Sequence, residues 1–322
     1  MFRGKTVLVT GGTGTFGRHF VKRLLAENVA KVIVFSRDEF KQSQMATDPD
    51  YRDERIRFFL GDVRDLPRLE RALETVDIVV HAAALKQVPA VEYNPFEAIK
   101  TNVIGSQNVV EACLNSSVSK AILISSDKAV APVNLYGATK LCAEKLFVSA
   151  NAYRRDERST IFSVVRYGNV IGSRGSLVEI IRAQRESGKI TLTDERMTRF
   201  WVKIDDILEI ILRALEVMEG GEIFVPKMKS LPVRDVIACV APECAVETIG
   251  IRPGEKIHEV LIAEHERRRT RDTEHAYIVL PEFGGAELSW LSSAPSVSDD
   301  FVYASGDESF YLTPEEARAL FR

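Results

Sequence analysis

Over about its first 170 residues the chain alternates short, almost wholly apolar runs with longer amphipathic ones, and this rhythm constrains its fold more than any other feature. Candidate strands are Thr6–Thr10, Lys31–Phe35, Ile56–Leu60, Ile78–His81, Ala121–Ser125 and Phe162–Arg166. Helix-like segments lie between them at Gly17–Glu27, Pro67–Thr75, Phe96–Leu114 and Tyr136–Tyr153. Strand and helix in strict alternation make βαβ units and a parallel sheet. The strands are apolar throughout rather than on alternate residues, as they must be when helices cover both faces. Asp65-Leu66-Pro67 has the form of an N-cap with proline in the first helical turn. After Asn169 the rhythm loosens: Gly172–Ser176 is loop-like, a helix is expected to reach Arg185, another runs from Asp205 to about Met218, and Glu222–Val225 is one more strand.

The first strand is followed by Thr10-Gly11-Gly12-Thr13-Gly14-Thr15-Phe16-Gly17, in which glycines 11, 14 and 17 form G-x-x-G-x-x-G between a strand and a helix. Glycine is required where a backbone must turn tightly and come close to a pyrophosphate, and the helix N-terminus then offers unpaired N–H groups to the phosphates. A glycine triplet alone also serves a plain strand–helix turn. The strand–loop–helix context makes it a dinucleotide site. The end of the second strand speaks to which dinucleotide. An acid there suits the ribose 2′-OH of NAD. The chain has Ser36-Arg37-Asp38-Glu39-Phe40-Lys41, and Ser36, Arg37 and Lys41 supply a hydroxyl and two cations suited to a 2′-phosphate. NADP is therefore the expected cofactor, with Asp38 leaving NAD open. Asp62-Val63 is placed to meet the adenine edge, and Ala82-Ala83-Ala84 is small enough for the cofactor to lie against the backbone.

Tyr136-Gly137-Ala138-Thr139-Lys140 is Y-x-x-x-K at the start of a helix, where residues four apart share a face and the Lys140 ammonium is expected beside the Tyr136 phenol. A nearby cation lowers a tyrosine pKa from about 10, so the phenolate can take a proton from an alcohol. The motif is common by chance, with a packed tyrosine and a surface lysine as its bland reading. Behind a glycine loop, and downstream of Ser125-Ser126, it is the arrangement of short-chain dehydrogenases. Ser126-Asp127-Lys128 is more than a dehydrogenase needs. An adjacent acid and amine at the carboxyl edge of the sheet suit an elimination next to a freshly made ketone. The alternative is a salt-linked surface turn. Lys128 acts as a base only when partly neutral, which burial and the Lys140 charge are expected to achieve.

Composition bounds the rest. With 322 residues, about two domains are expected. Lys plus Arg is 43 and Asp plus Glu is 46, net −3, which excludes the basic footprint of a nucleic-acid protein. No apolar run approaches the roughly 18 residues of a membrane span. The opening MFRGKTVLVT reads as a strand rather than a signal peptide. Cys113, Cys142, Cys239 and Cys244 show no C-x-x-C pair and no zinc-type spacing, so no metal is expected and the thiols suit the cytoplasm. The run His265–Arg269 reads as a solvated helix end.

The longer motifs carry a resemblance across nearly the whole chain: GGTGTFG at 11–17, SRDEFKQ at 36–42, GDVRD at 61–65, HAAALKQVP at 81–89, SDKA at 126–129, NLYGATKLC at 134–142, VRYGNVIGSRGS at 165–176, MTRFW at 197–201 and IGIRPGEKIHEV at 249–260. The sequence resembles the inverting UDP-N-acetylglucosamine 4,6-dehydratases that begin pseudaminic acid synthesis, within the extended short-chain dehydrogenase/reductase group. The resemblance implies an α/β fold with a doubly wound Rossmann sheet and a smaller C-terminal substrate-binding part. The NADP-binding domain would be 1–172 plus about 200–226, the UDP-sugar domain about 173–199 and 227–290, and the tail 291–322. It implies Asp127, Lys128 and Tyr136 as the catalytic trio, with Lys140 assisting. Cofactor contacts are expected from Gly11, Thr13–Gly17, Ser36–Lys41, Asp62, Val63, Ala82, Lys86, Ser125, Ser126, Tyr136, Lys140 and Val170. The UDP-sugar is expected near Lys86, Asn169, Arg174, Gly175, Ser176, Leu177, Val178, Arg199 and Arg252. A homo-oligomer, hexameric or dimer-based, is implied too. Tyr136 separates this branch from retaining relatives, which carry Met there. A retaining dehydratase, a UDP-sugar 4-epimerase and a non-catalytic NADP-binding regulator are the competing readings.

Overall fold

The computed structural model describes residues 1–154, 159–173, 175–282 and 288–321; Arg174 lies outside them. Six strands appear where the apolar runs place them: β1 (Thr6–Thr10), β2 (Lys31–Ser36), β3 (Ile56–Leu60), β4 (Ile78–His81), β5 (Lys120–Ser126) and β6 (Ile161–Tyr167). They are parallel in the order β3-β2-β1-β4-β5-β6. β1 is buried along its whole length, as helices on both faces require. The order reverses between β1 and β4, so the chain leaves the sheet in opposite directions there and opens a crevice at the carboxyl ends. Thr10 is level with Phe35 on one side and His81 on the other, so the loops that follow begin at one height.

The chain continues through β7 (Asn169–Val170), β8 (Lys189–Leu192), β9 (Thr198–Val202), β10 (Ile223–Pro226), β11 (Lys229–Pro232), β12 (Ala245–Thr248), β13 (Val260–Ile262), β14 (Thr270–Asp272), β15 (Ala276–Val279) and β16 (Tyr303–Ala304). β10 adds to β6 in parallel, then β15 and β14 extend the sheet antiparallel to nine strands. The last two come from the stretch that sequence assigns to the smaller part. Ala276, Ile278 and Val279 of β15 are buried in the main core instead. A second core gathers Val178, Ile181, Ile190, Leu192, Trp201 and Ile237, with Phe321 of the last helix edge-on to Trp201 at 5.1 Å. Among the described residues no helix is long and apolar enough to cross a membrane, and no cluster of His, Cys, Asp or Glu is placed to hold a metal.

Two departures have clear causes. The segment expected as one helix, Phe96–Leu114, carries a wide π-type turn at Ile99–Ile104. It turns the buried Asn102 inward, where Oδ1 accepts from the Leu85 N–H at 2.8 Å and Nδ2 donates to the Leu85 carbonyl at 2.9 Å and to Thr139 Oγ1 at 3.0 Å. The charged run at 265–269 is not solvated throughout. Glu266, 6% exposed, closes on Arg166, itself 2% exposed, which also pairs with the buried Glu144. Arg166 makes two-pronged contacts to both carboxylates and donates to the Leu261 carbonyl, tying β6 to the β13 region. Replacing Arg166 with Met leaves two facing carboxylates without a counter-ion. The loss is expected to be about 3–5 kcal/mol in urea unfolding at neutral pH. Such carboxylates have folded pKa values raised above their unfolded ones, so the deficit should shrink as the pH falls and they take up protons. A loss under about 1 kcal/mol, or one that does not ease at acid pH, contradicts this account.

Candidate active site

The crevice is built by close backbone approach. Gly11 has a φ of +67°, and a Cβ on it would sit 2.9 Å from the Ala83 nitrogen. A Cβ on Gly17 would lie 2.5 Å from the Gly12 Cα, so only glycine lets the first helix, Thr15–Ala26, press against the loop. That helix has Gly14 as its N-cap, with no side-chain cap and no acid in its first turn. Its leading N–H groups face the loop that a dinucleotide pyrophosphate requires. Below the loop, Thr10 Oγ1 accepts from the Ala82 N–H at 3.1 Å and the Ala83 N–H at 3.2 Å. It also meets His81 Nδ1 at 2.7 Å, while His81 Nε2 reaches Ser106 Oγ at 3.1 Å. Thr13 is buried in the loop, and Phe16 stacks on Phe20.

At the ribose end, Asp38 caps the helix Glu39–Thr47, accepting from the Lys41 N–H at 3.0 Å, and its carboxylate pairs with Lys41 Nζ at 2.7 Å. Ser36 Oγ accepts from Gln42 Nε2 at 3.0 Å. Arg37 is exposed and reaches Asp62 at 3.8 Å, and Asp62 is held by Arg64 at 2.7 Å. Glu39 and the strongly exposed Phe40 flank this surface. Val63 is buried against Gly105.

The chemistry gathers at the end of β5. Asp127 is 1% exposed; its Oδ1 accepts from Ser126 Oγ at 2.8 Å and from Lys128 Nζ at 3.1 Å, and its Oδ2 is buried without a partner. Ser125 Oγ is likewise buried, and neither atom has a hydrogen-bond partner among the described residues. Burial raises the Asp127 pKa against the pull of Lys128, and Glu259 raises it further. For Lys128, burial lowers the ammonium pKa, but Asp127 and Glu259 raise it by more. The resting Lys128 therefore keeps its proton, contrary to the sequence expectation that burial and Lys140 leave it partly neutral. Burial also pushes up the Tyr136 phenol, which Lys128 pulls down. Lys140 is buried on the same helix, one turn beyond Tyr136. Its Nζ donates to the Ile124 carbonyl at 2.7 Å, beneath the site, and burial lowers its pKa to about 8 against Glu144.

The substrate side shows a mixed picture. Asn169 and Val170 form β7, half-buried beside β9. Ser176 caps the helix Leu177–Arg185, and the Gly175 N–H donates to Glu179 at 2.6 Å. Lys86 is exposed at the rim; partial desolvation lowers its pKa below the usual lysine value, with Glu179 opposing and Lys128 adding to the drop. Val178 is wholly buried in the second core, so it supports its helix and is not open to a ligand. Arg199 lies within 3.8 Å of Glu259 and donates to the Thr198 and Ile257 carbonyls, so its guanidinium is not free to fork onto a pyrophosphate. Arg252 is exposed, on a turn whose Gly254 carbonyl accepts from Asn134, the N-cap of the Tyr136 helix.

A family model described as polysaccharide biosynthesis protein matches residues 7–281. The chain belongs to this family. Two relatives from Campylobacter jejuni subsp. jejuni, serotypes O:2 and O:23/36, are 44% and 48% identical over 98% of this chain and 97% of each relative, and are named UDP-N-acetylglucosamine 4,6-dehydratase (inverting). A UDP-glucose 4-epimerase from Rickettsia prowazekii is 41% identical over 84% of this chain and 82% of its own length. Among solved structures, Pen from Bacillus thuringiensis superposes with a TM-score of 0.90 at 36% identity, covering 99% of this chain and 98% of its own. The dTDP-glucose 4,6-dehydratase of Streptomyces venezuelae, solved with NAD and TYD bound, gives 0.67 at 25% identity over 78% and 86%. The fold of this polysaccharide-biosynthesis protein is thus the extended short-chain dehydrogenase/reductase type.

Sequence reasoning missed Thr10, His81, Asn102 and Glu259. All four act through partners far away in the chain, and only the strand ends at Thr10 and His81 hinted at their place. His81 is measurable in this family member without any ligand. Burial and the Lys140 charge hold its pKa down at about 3, below the ordinary 6.5. Between those values the unfolded chain binds a proton that the folded one does not, so stability falls as the pH drops through 6.5. A His81→Gln variant should lose this dependence. Its unfolding free energy between pH 6 and 4 is expected to fall less steeply than the parent's, by up to about 1.4 kcal/mol per pH unit. Parallel slopes contradict a buried neutral histidine.

Proposed function

We propose that the protein is an inverting UDP-N-acetylglucosamine 4,6-dehydratase that uses NADP. The observation that carries this reading is the Asp127–Lys128 pair, joined at 3.1 Å with Asp127 wholly buried, and electrostatically coupled to the Tyr136 phenol. A 4-epimerase has no use for a buried acid–amine pair; the epimerase name of the Rickettsia relative makes that activity the second reading.

The glycines at 11, 14 and 17 form a cradle that a pyrophosphate fits and a Cβ would fill, so Gly11–Gly17 would hold the dinucleotide with Ala82, Lys86 and Val170. Arg37 and Lys41 favour a 2′-phosphate, because Asp38 is engaged in capping and in the Lys41 pair rather than facing a ribose hydroxyl. When bound, the nicotinamide would supply hydride acceptance at C4 and hydride return at C6. Tyr136, whose phenolate the Lys128 cation stabilises against the effect of burial, takes the 4-hydroxyl proton. The C4 ketone then acidifies the C5 proton. One proton moving along the Lys128–Asp127 hydrogen bond turns the ammonium into an amine and the carboxylate into an acid, the two forms that elimination needs. Burial works toward this neutral pair, against the attraction of Asp127 and Glu259 that keeps Lys128 protonated at rest. Lys128 then takes the C5 proton, Asp127 protonates the departing C6 hydroxyl, and water leaves. Return of a proton to C5 from the opposite face gives the L-arabino 4-keto-6-deoxy sugar. The Ser126 hydroxyl orients Asp127 by donating to it, and Lys140 is held on the Ile124 carbonyl. Asn169, Gly175, Ser176 and Arg252 remain the proposed contacts to the UDP-sugar. The exposed Tyr93, Phe96 and Ile104 offer an apolar surface for the expected homo-oligomer, and four cysteines outside any disulfide among the described residues accord with the cytoplasm.

The test is turnover of UDP-N-acetylglucosamine without added dinucleotide, followed by mass spectrometry. The expected product has lost the mass of one water, and NADP is recovered undiminished from the protein. A product of unchanged mass with an inverted 4-hydroxyl makes the protein an epimerase. No conversion with dinucleotide retained would favour a regulator.

A further inference from the structure

Lys128 is held from two sides, and only one of them is local. Asp127 belongs to the same turn, whereas Glu259 arrives from 131 positions away, immediately before β13. The Glu259 carboxylate is 3% exposed; Oε1 lies 3.4 Å from Lys128 Nζ and 3.8 Å from Arg199 Nε, and Oε2 lies 3.7 Å from Lys256 Nζ. Oε2 has no hydrogen-bond partner among the described residues. The backbone around it is fixed. The Glu259 N–H donates to Ser305 Oγ at 2.8 Å, and the Ser305 N–H donates back to the Glu259 carbonyl at 2.8 Å. β13 pairs with β16, so the tail locks this carboxylate in place. Lys256 is anchored on the Val130 carbonyl at 2.6 Å, just past the Asp127 turn.

The geometry points to Glu259 as the positioning residue of the elimination step: it holds the Lys128 amine against Asp127 and sets how readily that pair exchanges a proton. This rests on the dehydratase reading above. A lysine side chain has four rotatable bonds, and one hydrogen bond to Asp127 leaves much of that freedom open. A second buried anchor on the opposite side removes it. The charge balance follows from the same arrangement. Facing the cluster are Asp127, Lys128 and Tyr136 from the Rossmann side, Lys86 at the rim, Arg199 from β9, and Lys256 and His258 from the loop of Glu259 itself. Arg199 and Lys256 offset part of the Glu259 charge, so Lys128 feels an anion strong enough to hold it but not one standing alone. His258 is lodged against Thr198 Oγ1 at 2.8 Å and acts on Arg199 rather than on Lys128.

The sign of each perturbation is fixed. Removing the Glu259 charge makes Lys128 lose its proton more easily and Asp127 hold its proton less well, so both limbs of the rate profile move to lower pH. Removing Lys256 leaves Glu259 less neutralised and moves both limbs the other way. Glu259→Gln is therefore expected to shift the pH–kcat profile acidward by about one unit, with bound dinucleotide retained. Lys256→Gln should shift it alkaline, and Glu259→Asp should restore the parent position of the profile at a lower kcat. A merely structural carboxylate would lower kcat or stability with the profile unmoved, and that result overturns the proposal. So does a shift of the same sign in both glutamine variants. If Glu259→Gln does not fold, Lys256→Gln carries the test alone through its opposite sign. A parent protein that turns nothing over fails the dehydratase reading instead. The positioning role is then read from the pH dependence of Lys128 acylation by a lysine reagent, followed by peptide mass spectrometry, with the same two shifts expected and their absence contradicting it.

Discussion

One buried hydroxyl stands where the strand order reverses. Thr10 Oγ1 accepts the N–H groups of Ala82 and Ala83 and meets His81, so the loop after β1 and the loop after β4 are pinned to one point before they diverge. The crevice exists because those loops part, and its width is set by how closely they start. Gly11 can approach Ala83 because it has no Cβ, and Gly17 can carry the first helix onto Gly12 for the same reason. A hydroxyl satisfies this geometry with a partner set that an apolar side chain lacks, and leaving those N–H groups buried and unpaired would be costly.

The second organising element is charge kept out of water. Arg166 with Glu144 and Glu266, and Lys128 with Asp127 and Glu259, are both clusters in which a cation from the main sheet side meets a carboxylate from beyond residue 255. The first is closed, with every guanidinium contact made, and it fastens the chain. The second is open: among the described residues, one oxygen of Asp127 and one of Glu259 have no hydrogen-bond partner. Buried polar groups are ordinarily satisfied, so unsatisfied ones mark a place where the fold is held ready for something else. The difference between a structural and a reactive ion cluster here lies in that incompleteness rather than in burial, which they share.

Much of this was legible in the sequence, and the boundary of what was legible has a physical explanation. The six parallel strands, the glycine loop and the Tyr136 helix announce themselves through local periodicity and steric demand, and they lie within one or two residues of expectation. Strands β14 and β15 were misplaced because the strand that joins them to the main sheet, β10, is some fifty residues before its partner β15, and short strands carry no sign of which sheet they join. Phe96–Leu114 reads as one helix because a wide turn alters no hydrophobic pattern. Within the site, adjacency in sequence found Asp127 and Lys128 but misjudged their charge state, since Glu259 is visible only in three dimensions. The same blindness made Arg199 look free and Glu266 look solvated. The i, i+4 rule put Tyr136 and Lys140 on one face, but the Ile124 carbonyl that holds the Lys140 ammonium is 16 residues away and not visible in local spacing.

The measurement that bears most directly on the central claim is the proton NMR spectrum of product formed from UDP-N-acetylglucosamine in D₂O. The account predicts a new 6-deoxy methyl signal, deuterium at C5 and couplings that show C5 inverted. Deuterium at C5 with the configuration kept would contradict the inverting assignment, and a sugar still hydroxylated at C6 would contradict elimination through Asp127 and Lys128 altogether.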